Sequence, residues 1–192
     1  MKKILLVALL GLFTSAAVAQ TKGQSIVGPG FSTYKYSDSS NDYKYTTTNY
    51  SLNYGLFVKD NARLGVDLGY SIFEQLNNNY KEINTTTNLG LNYKKFYPIA
   101  GKFYWTLSEA ASYGWGDREV NNNGTITSGK VETMNANVVA GLSYFLSKRF
   151  MIEADGIGLY LSSSKTKMTT NVSKNSYFRY DNYLNLKVNF IF

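Results

Sequence analysis

The chain has 192 residues, 44% hydrophobic and 16% aromatic, with a formal net charge of +7, 2 prolines and 16 glycines. That length suits one domain, and the composition is neither that of a disordered chain nor that of a collagen. Histidine and cysteine are both absent, which excludes disulfides, thiolate or imidazole metal sites, and nucleophiles served by a histidine base.

The chain begins MKKILLVALLGLFTSAAVAQ. Lys2 and Lys3 precede an apolar run from Ile4 to Phe13, and Ala17, Val18 and Ala19 form an A-x-A site before Gln20. This pattern predicts a secretory signal peptide over 1–19, removed before Gln20, and a mature domain over 20–192. The apolar run is about half of the roughly 20 residues that a membrane-spanning helix needs.

Eight segments with period-two alternation follow. In QSIVGPGFSTYKY (24–36), Gly28-Pro29-Gly30 reads as a bulge or an edge position. NYSLNYGLFV (49–58) sets Tyr50, Leu52, Tyr54, Leu56 and Val58 against Asn49, Ser51, Asn53 and Gly55. RLGVDLGYSI (63–72) sets Leu64, Val66, Leu68, Tyr70 and Ile72 against Arg63, Gly65, Asp67, Gly69 and Ser71. NLGLNYKKFYP (88–98) does the same with Leu89, Leu91, Tyr93 and Tyr97 against Asn88, Gly90, Asn92 and Lys94. In KFYWTLSEAASYGWG (102–116), Phe103, Trp105, Leu107 and Glu109 share one parity. Either a bulge shifts the phase there, or Glu109 and the large side chains point inward. MNANVVAGLSYFL (134–146) alternates cleanly, and FMIEADGIGLYL (150–161) carries Glu153 and Asp155 on one face, with a kink expected at Gly156-Ile157-Gly158. The last segment, YLNLKVNFIF (183–192), sets Leu184, Leu186, Val188, Phe190 and Phe192 against Asn185, Lys187 and Asn189.

The connections 59–62, 98–101 and 146–149 are tight turns; 37–44, 74–84, 117–131 and 163–176 are longer and polar, and read as loops. Short and long connections alternate. The pattern predicts an all-β fold, an eight-stranded antiparallel up-and-down transmembrane β-barrel with all short turns at one end, where both termini also lie. Five outward residues on alternate positions span roughly 20 Å at a tilt near 40°, close to the ~25 Å apolar band of such barrels. Tyr34, Tyr36, Phe96, Tyr97, Tyr160, Phe190 and Phe192 are expected in the interfacial girdles. A soluble sandwich or lipocalin-like barrel also alternates. The polar face here, however, is rich in Gly, Ser and Asn and poor in charge, which favours the membrane barrel.

The segment LNLKVNFIF resembles the C-terminal signature of Gram-negative outer-membrane barrels, with its alternate apolar residues and final Phe. YGLFVKDNARLGVDLGYS (54–71) resembles the second hairpin of small OmpA/OmpX-type barrels, the porin-like outer membrane protein β-barrel domain family. The resemblance covers the mature chain in architecture and rests on these two segments in motif. It implies that Leu184, Leu186, Val188, Phe190 and Phe192 are read by the barrel-assembly machinery, and that the protein spans the cell outer membrane with both termini in the periplasm. No peptidoglycan-binding domain is expected after the barrel.

A narrow barrel fills its interior with side chains, and charges buried there must be paired. Arg63, Asp67, Lys94, Glu153, Asp155 and Lys187 are expected to form a lumen polar network, with Arg179 and Asp181 adding to it. Glu153 and Asp155 also have the spacing of an acid–base pair, but the structural network is the preferred reading. No catalytic, metal or cofactor site is expected, and nucleic acid is a poor partner for an exported chain. The net positive charge favours lipid or glycolipid phosphate instead. DYKYTTTNY (42–50) reads either as a sugar- or protein-binding surface or, preferably, as strand projecting above the membrane. The expected role is non-enzymatic, structural or surface-interacting through the extracellular loops. A narrow passive pore and a soluble exported binding barrel are the alternatives.

Overall fold

The computed structural model describes residues 22–38, 42–169 and 171–192; the segment expected to be a signal peptide, with Ala17, Ala19 and Gln20, lies outside the described residues. Eight strands follow in order: β1 (Ser25–Asp38), β2 (Tyr43–Lys59), β3 (Ala62–Asn77), β4 (Tyr80–Ala100), β5 (Phe103–Asn122), β6 (Thr125–Phe145), β7 (Phe150–Met168) and β8 (Val172–Ile191). Each pairs antiparallel with the next, and the sheet closes into a barrel.

The strands are longer than the alternating segments. β4 and β6 run 21 residues each, about 70 Å along the strand and roughly 50 Å in height at a 40° tilt, twice the apolar band. The polar stretches expected as loops are largely continuations of the strands. Thr85, Thr86 and Thr87 pair with Asp117, Gly116 and Trp115, from the upper edge of the belt upward. β-Branched threonines favour this extended wall, and two-residue turns close it between β3 and β4 and between β5 and β6. Asn123 and Gly124 both have positive φ, 51° and 84°, the conformation a tight hairpin requires and that Asn-Gly supplies. Asn61 and Asn78 hold the same left-handed geometry at their turns, with φ of 60° and 46°.

The apolar stripe faces out. Leu91 is 61% exposed and Leu184 72%, with Leu52, Val66, Leu68, Leu89, Leu142 and Leu159 exposed around the wall. A continuous belt of this kind suits hydrocarbon and not water. Aromatic rows bound it. Tyr97 packs on Trp105 at 4.9 Å, and Phe190 lies between Phe150 and Phe192, at the end that carries the termini. Phe31 on Tyr50 and Tyr113 on Trp115 form the opposite row. Tyr97, Phe190 and Phe192 thus stand in the girdles. Tyr34, Tyr36, Phe96 and Tyr160 do not: each falls on the inward parity of its strand.

β5 resolves its ambiguous parity in neither of the two expected ways. It pairs with β6 without a register shift. Phe103, Trp105, Leu107 and Glu109 all point outward, while Tyr104, Thr106 and Ser108 are buried inside. β7 does carry a bulge. Gly141 pairs with Asp155 but Ala140 pairs with Ile157, leaving Gly156 unpaired and switching the phase. That switch lets Asp155 and Gly158 both face inward.

The barrel is zipped shut only at its base. Ser25 exchanges backbone hydrogen bonds with Phe192 (2.8 and 2.9 Å), and Ile26 and Val27 pair with Ile191 and Phe190. Gly28-Pro29-Gly30 continues above as an edge in unbroken register with β2. There the missing N–H of proline is harmless.

Candidate functional site: a plugged, charge-paired lumen

Inward positions near the base are apolar, against the expectation of a wholly polar interior. Ile26, Phe57, Phe96, Tyr104, Phe145, Met151 and Ile191 form one buried cluster, each no more than 3% exposed. Phe96 sits at its centre, with ring centroids 5.6 Å from Phe57, 6.5 Å from Tyr104 and 6.3 Å from Phe145. Together these side chains plug the lumen across its base. Their signal in the sequence was a phenylalanine on the polar parity of its strand, Phe57 among Asn53 and Gly55.

A charged layer lies above the plug. Lys94 Nζ donates to Glu153 Oε1 at 3.0 Å and to Asp155 Oδ1 at 3.2 Å. Lys187 Nζ donates to Asp155 Oδ2 at 2.8 Å, and Asn189 Nδ2 to Glu153 Oε2 at 3.0 Å. Arg63 Nη1 stands 3.6 Å from Glu153 Oε1, its guanidinium 5.9 Å above the Phe96 ring. Asp67 joins through amides, accepting from Asn53 at 2.7 Å and from Asn92. The register explains the convergence: Glu153 lies directly across from Lys187, and Arg63 from Lys94. Arg63, Lys94 and Glu153 are at most 3% exposed. The three cations therefore balance three carboxylates in a medium where an unpaired charge is costly. Arg179 and Asp181 lie apart, paired to each other at 2.7 Å, with Arg179 over Tyr160 and Tyr177.

A cavity of about 550 Å³ opens beside this layer, lined by Arg63, Asp67, Lys94, Glu153, Asp155 and Lys187 and by both edges of the β1–β8 junction. Higher still, Glu82 accepts from Arg118 at 2.8 Å and from Tyr80 and Asn84. Burial, and then the bond to Glu82, raise the Tyr80 phenol above its usual value. Spacing along the sequence does not mark this second cluster: Tyr80, Glu82 and Asn84 alternate along β4, but the cation Arg118 reaches Glu82 only across the pairing with β5.

The interior wall of the extended β1–β3 hairpins carries a group of rings. Tyr45 stacks on Tyr36 at 5.4 Å and lies within 5.6–6.0 Å of Tyr34, Tyr43 and Phe73. Its hydrogen bond to Tyr34 raises the Tyr45 phenol. Among the described residues, no three His, Cys, Asp or Glu side chains come close enough to hold a metal ion.

Residues 4–191 match the family described as outer membrane protein beta-barrel domain. No curated protein matches the chain. Among solved structures, the N-terminal barrel of Pseudomonas aeruginosa OprF is similar at 16% identity, covering 90% of this chain and 100% of that one, with a TM-score of 0.46. The translocator domain of the Neisseria meningitidis autotransporter NalP gives 13%, 93% and 64%, with a TM-score of 0.50. A major outer membrane protein of Thermus thermophilus gives 12%, 89% and 99%, with a TM-score of 0.47.

Proposed function

Because the chain belongs to the outer membrane protein beta-barrel domain family, we propose that it is a non-enzymatic outer-membrane protein. Its plugged barrel holds a rigid β-walled platform above the lipid, where an extracellular partner is met. The observation that carries this reading is the division of labour along the barrel axis. The base of the lumen is filled by apolar side chains, its middle by a charge-balanced ion network, and the upper wall carries accessible polar and aromatic groups. Reactive groups are scarce. The chain lacks His and Cys, and Glu153 and Asp155 are already engaged by Lys94, Asn189 and Lys187. The plug argues against a passive pore, and the exposed leucine belt against a soluble binding barrel.

Both termini lie in the periplasm in this reading, with the hairpin tips outside. Lys35, Lys44, Lys81, Lys165 and Lys174 then ring the outer wall above the upper aromatic row, within reach of glycolipid phosphates. The terminal residues have an assembly role. Leu184, Leu186, Val188, Phe190 and Phe192 form the lipid face of the strand whose last residues close the sheet. They are the stripe available to the barrel-assembly machinery before closure.

A membrane-impermeant amine reagent on intact cells tests the reading. Lys81, Lys130 and Lys174 are expected to label, and Lys59, Lys102 and Lys148 to remain unlabelled until the outer membrane is opened. The reverse pattern would refute the topology. Discrete conductance of the wild-type barrel in planar bilayers would refute the plugged lumen.

A further inference from the structure

Among the described residues, two charged side chains stand on the outer face inside the apolar belt: Lys95 and Glu109. Glu109 lies midway along β5 between Trp105 and Tyr113, which mark the two aromatic rows. Its depth is that of the hydrocarbon centre. Tyr93 and Val138 are its direct cross-strand neighbours, and neither is charged. No hydrogen bond or ion pair reaches Glu109 among the described residues. Lys95 is paired with Leu107 one same-face step below, diagonal to Glu109, yet its Nζ turns away and lies 5.0 Å from the Tyr97 ring. A carboxylate and an ammonium are thus held on adjacent strands, both facing lipid and not joined to each other.

Charges on the lipid face destabilise a barrel in proportion to their depth, and intramembrane ionisable groups are partnered. We propose that this face of β4, β5 and β6 is the interface of a two-fold symmetric dimer, in which Glu109 of each copy pairs with Lys95 of the other. The occupant follows from charge complementarity. An isologous interface sets residue i against j and j against i, so one positive and one negative site, diagonal to each other, complement themselves under a two-fold axis along the membrane normal. The two sites differ in height by roughly 5 Å, one same-face step on a tilted strand, which a lysine side chain spans. Next to the pair, the wall is low: Ala111 pairs with Ala136, and Leu107 with Ala140. Small residues let two membrane surfaces approach closely. The face is also diametrically opposite the β1–β8 junction, so dimerisation leaves barrel closure undisturbed.

The test uses the full mature chain in lipid bilayers. The protein has no cysteine, so Leu107→Cys, next to the axis, is expected to give a disulfide-linked dimer on mild oxidation, while Leu52→Cys on β2 gives none. Lys95→Glu and Glu109→Lys are each expected to weaken dimerisation about tenfold, the loss of two modest intramembrane pairs. The Lys95→Glu/Glu109→Lys double variant restores it. Mixing the two single variants gives a heterodimer tighter than either homodimer, a result that an ion pair within one chain cannot produce. Heat-modifiable gel migration verifies that each variant is folded, and Glu109→Gln, which keeps the shape, replaces any that is not. A wild-type monomer in bilayers, dimers unaffected by either charge reversal, or cross-linking of Leu107→Cys only to a different protein would each overturn the proposal.

Discussion

Replacing Glu153 with glutamine tests the central energetic claim about the lumen. The side chain is 1% exposed, so the variant keeps shape and volume and removes only the charge. Lys94 retains Asp155 at 3.2 Å, but Arg63 loses the carboxylate at 3.6 Å. The new amide also turns a donor either toward Asn189 Nδ2, which now donates to Oε2, or toward Lys94. One buried cation is left without compensation and one donor faces another donor. Breaking a buried pair from one side costs about 3–5 kcal/mol, roughly a fifth or more of the stability of a typical domain. Urea unfolding in detergent micelles, followed by Trp105 and Trp115 emission, measures it. A Lys94→Met partner closes a double-mutant cycle, which should return substantial coupling between the two sites. A Glu153→Gln protein that unfolds within about 1 kcal/mol of wild type would show that the network is solvated rather than buried, and the reasoning would fail.

Asp67→Asn should cost less, about 1.5–3 kcal/mol, because it removes charge-assisted bonds from Asn53 and Asn92 and leaves no buried cation alone; the same unfolding assay checks it. Phe96→Ala removes the centre of the plug and should cost about 3–5 kcal/mol, with new conductance in planar bilayers as the functional readout. Gly116→Ala should impair pairing of β4 and β5 above the belt, since a Cβ there would stand 1.7 Å from the Thr85 carbonyl oxygen; accelerated amide exchange over 83–87 and 114–118 reports it. Glu132 lies on the upper wall, and the hydrogen bond and charge of Lys167 hold its carboxyl below the usual 4.5. Because the folded value is the lower one, this contribution is present above the ordinary glutamate range and fades as pH falls through the lowered value. Carboxyl NMR titration should show the shift, and Lys167→Met should remove most of it, leaving the smaller effect of Lys165 directly across the pairing.

Legibility varied from strand to strand. β2, β3 and the final residues of β8 could be read one by one, because one face meets hydrocarbon and the other a packed interior, and a one-residue slip would reverse every side chain. β5 was harder, since Glu109 shares the parity of Phe103, Trp105 and Leu107 and a charge in the lipid belt contradicts the usual alternation. The polar stretches looked like loops because their composition is that of loops. In the structure, cross-strand pairing of threonines and the tight turns at Asn78-Asn79 and Asn123-Gly124 extend the wall through them. The candidate site was partly readable as well. Lys94, Glu153, Asp155 and Lys187 could be placed inside from parity, but Asn53, Asn92 and Asn189 could not be singled out among many asparagines.

The sequence by itself determined the strand count, the up-and-down order, the apolar stripe and the aromatic end of β8, because these are local properties, and the charge-poor polar face turned that stripe outward. Only the tertiary structure decided which charges meet, where the barrel zips shut and that phenylalanines plug its base. Those features depend on registers between strands tens of residues apart and on the bulge at Gly156. A local pattern fixes which way a side chain points, but the shear of the closed sheet fixes what it finds there.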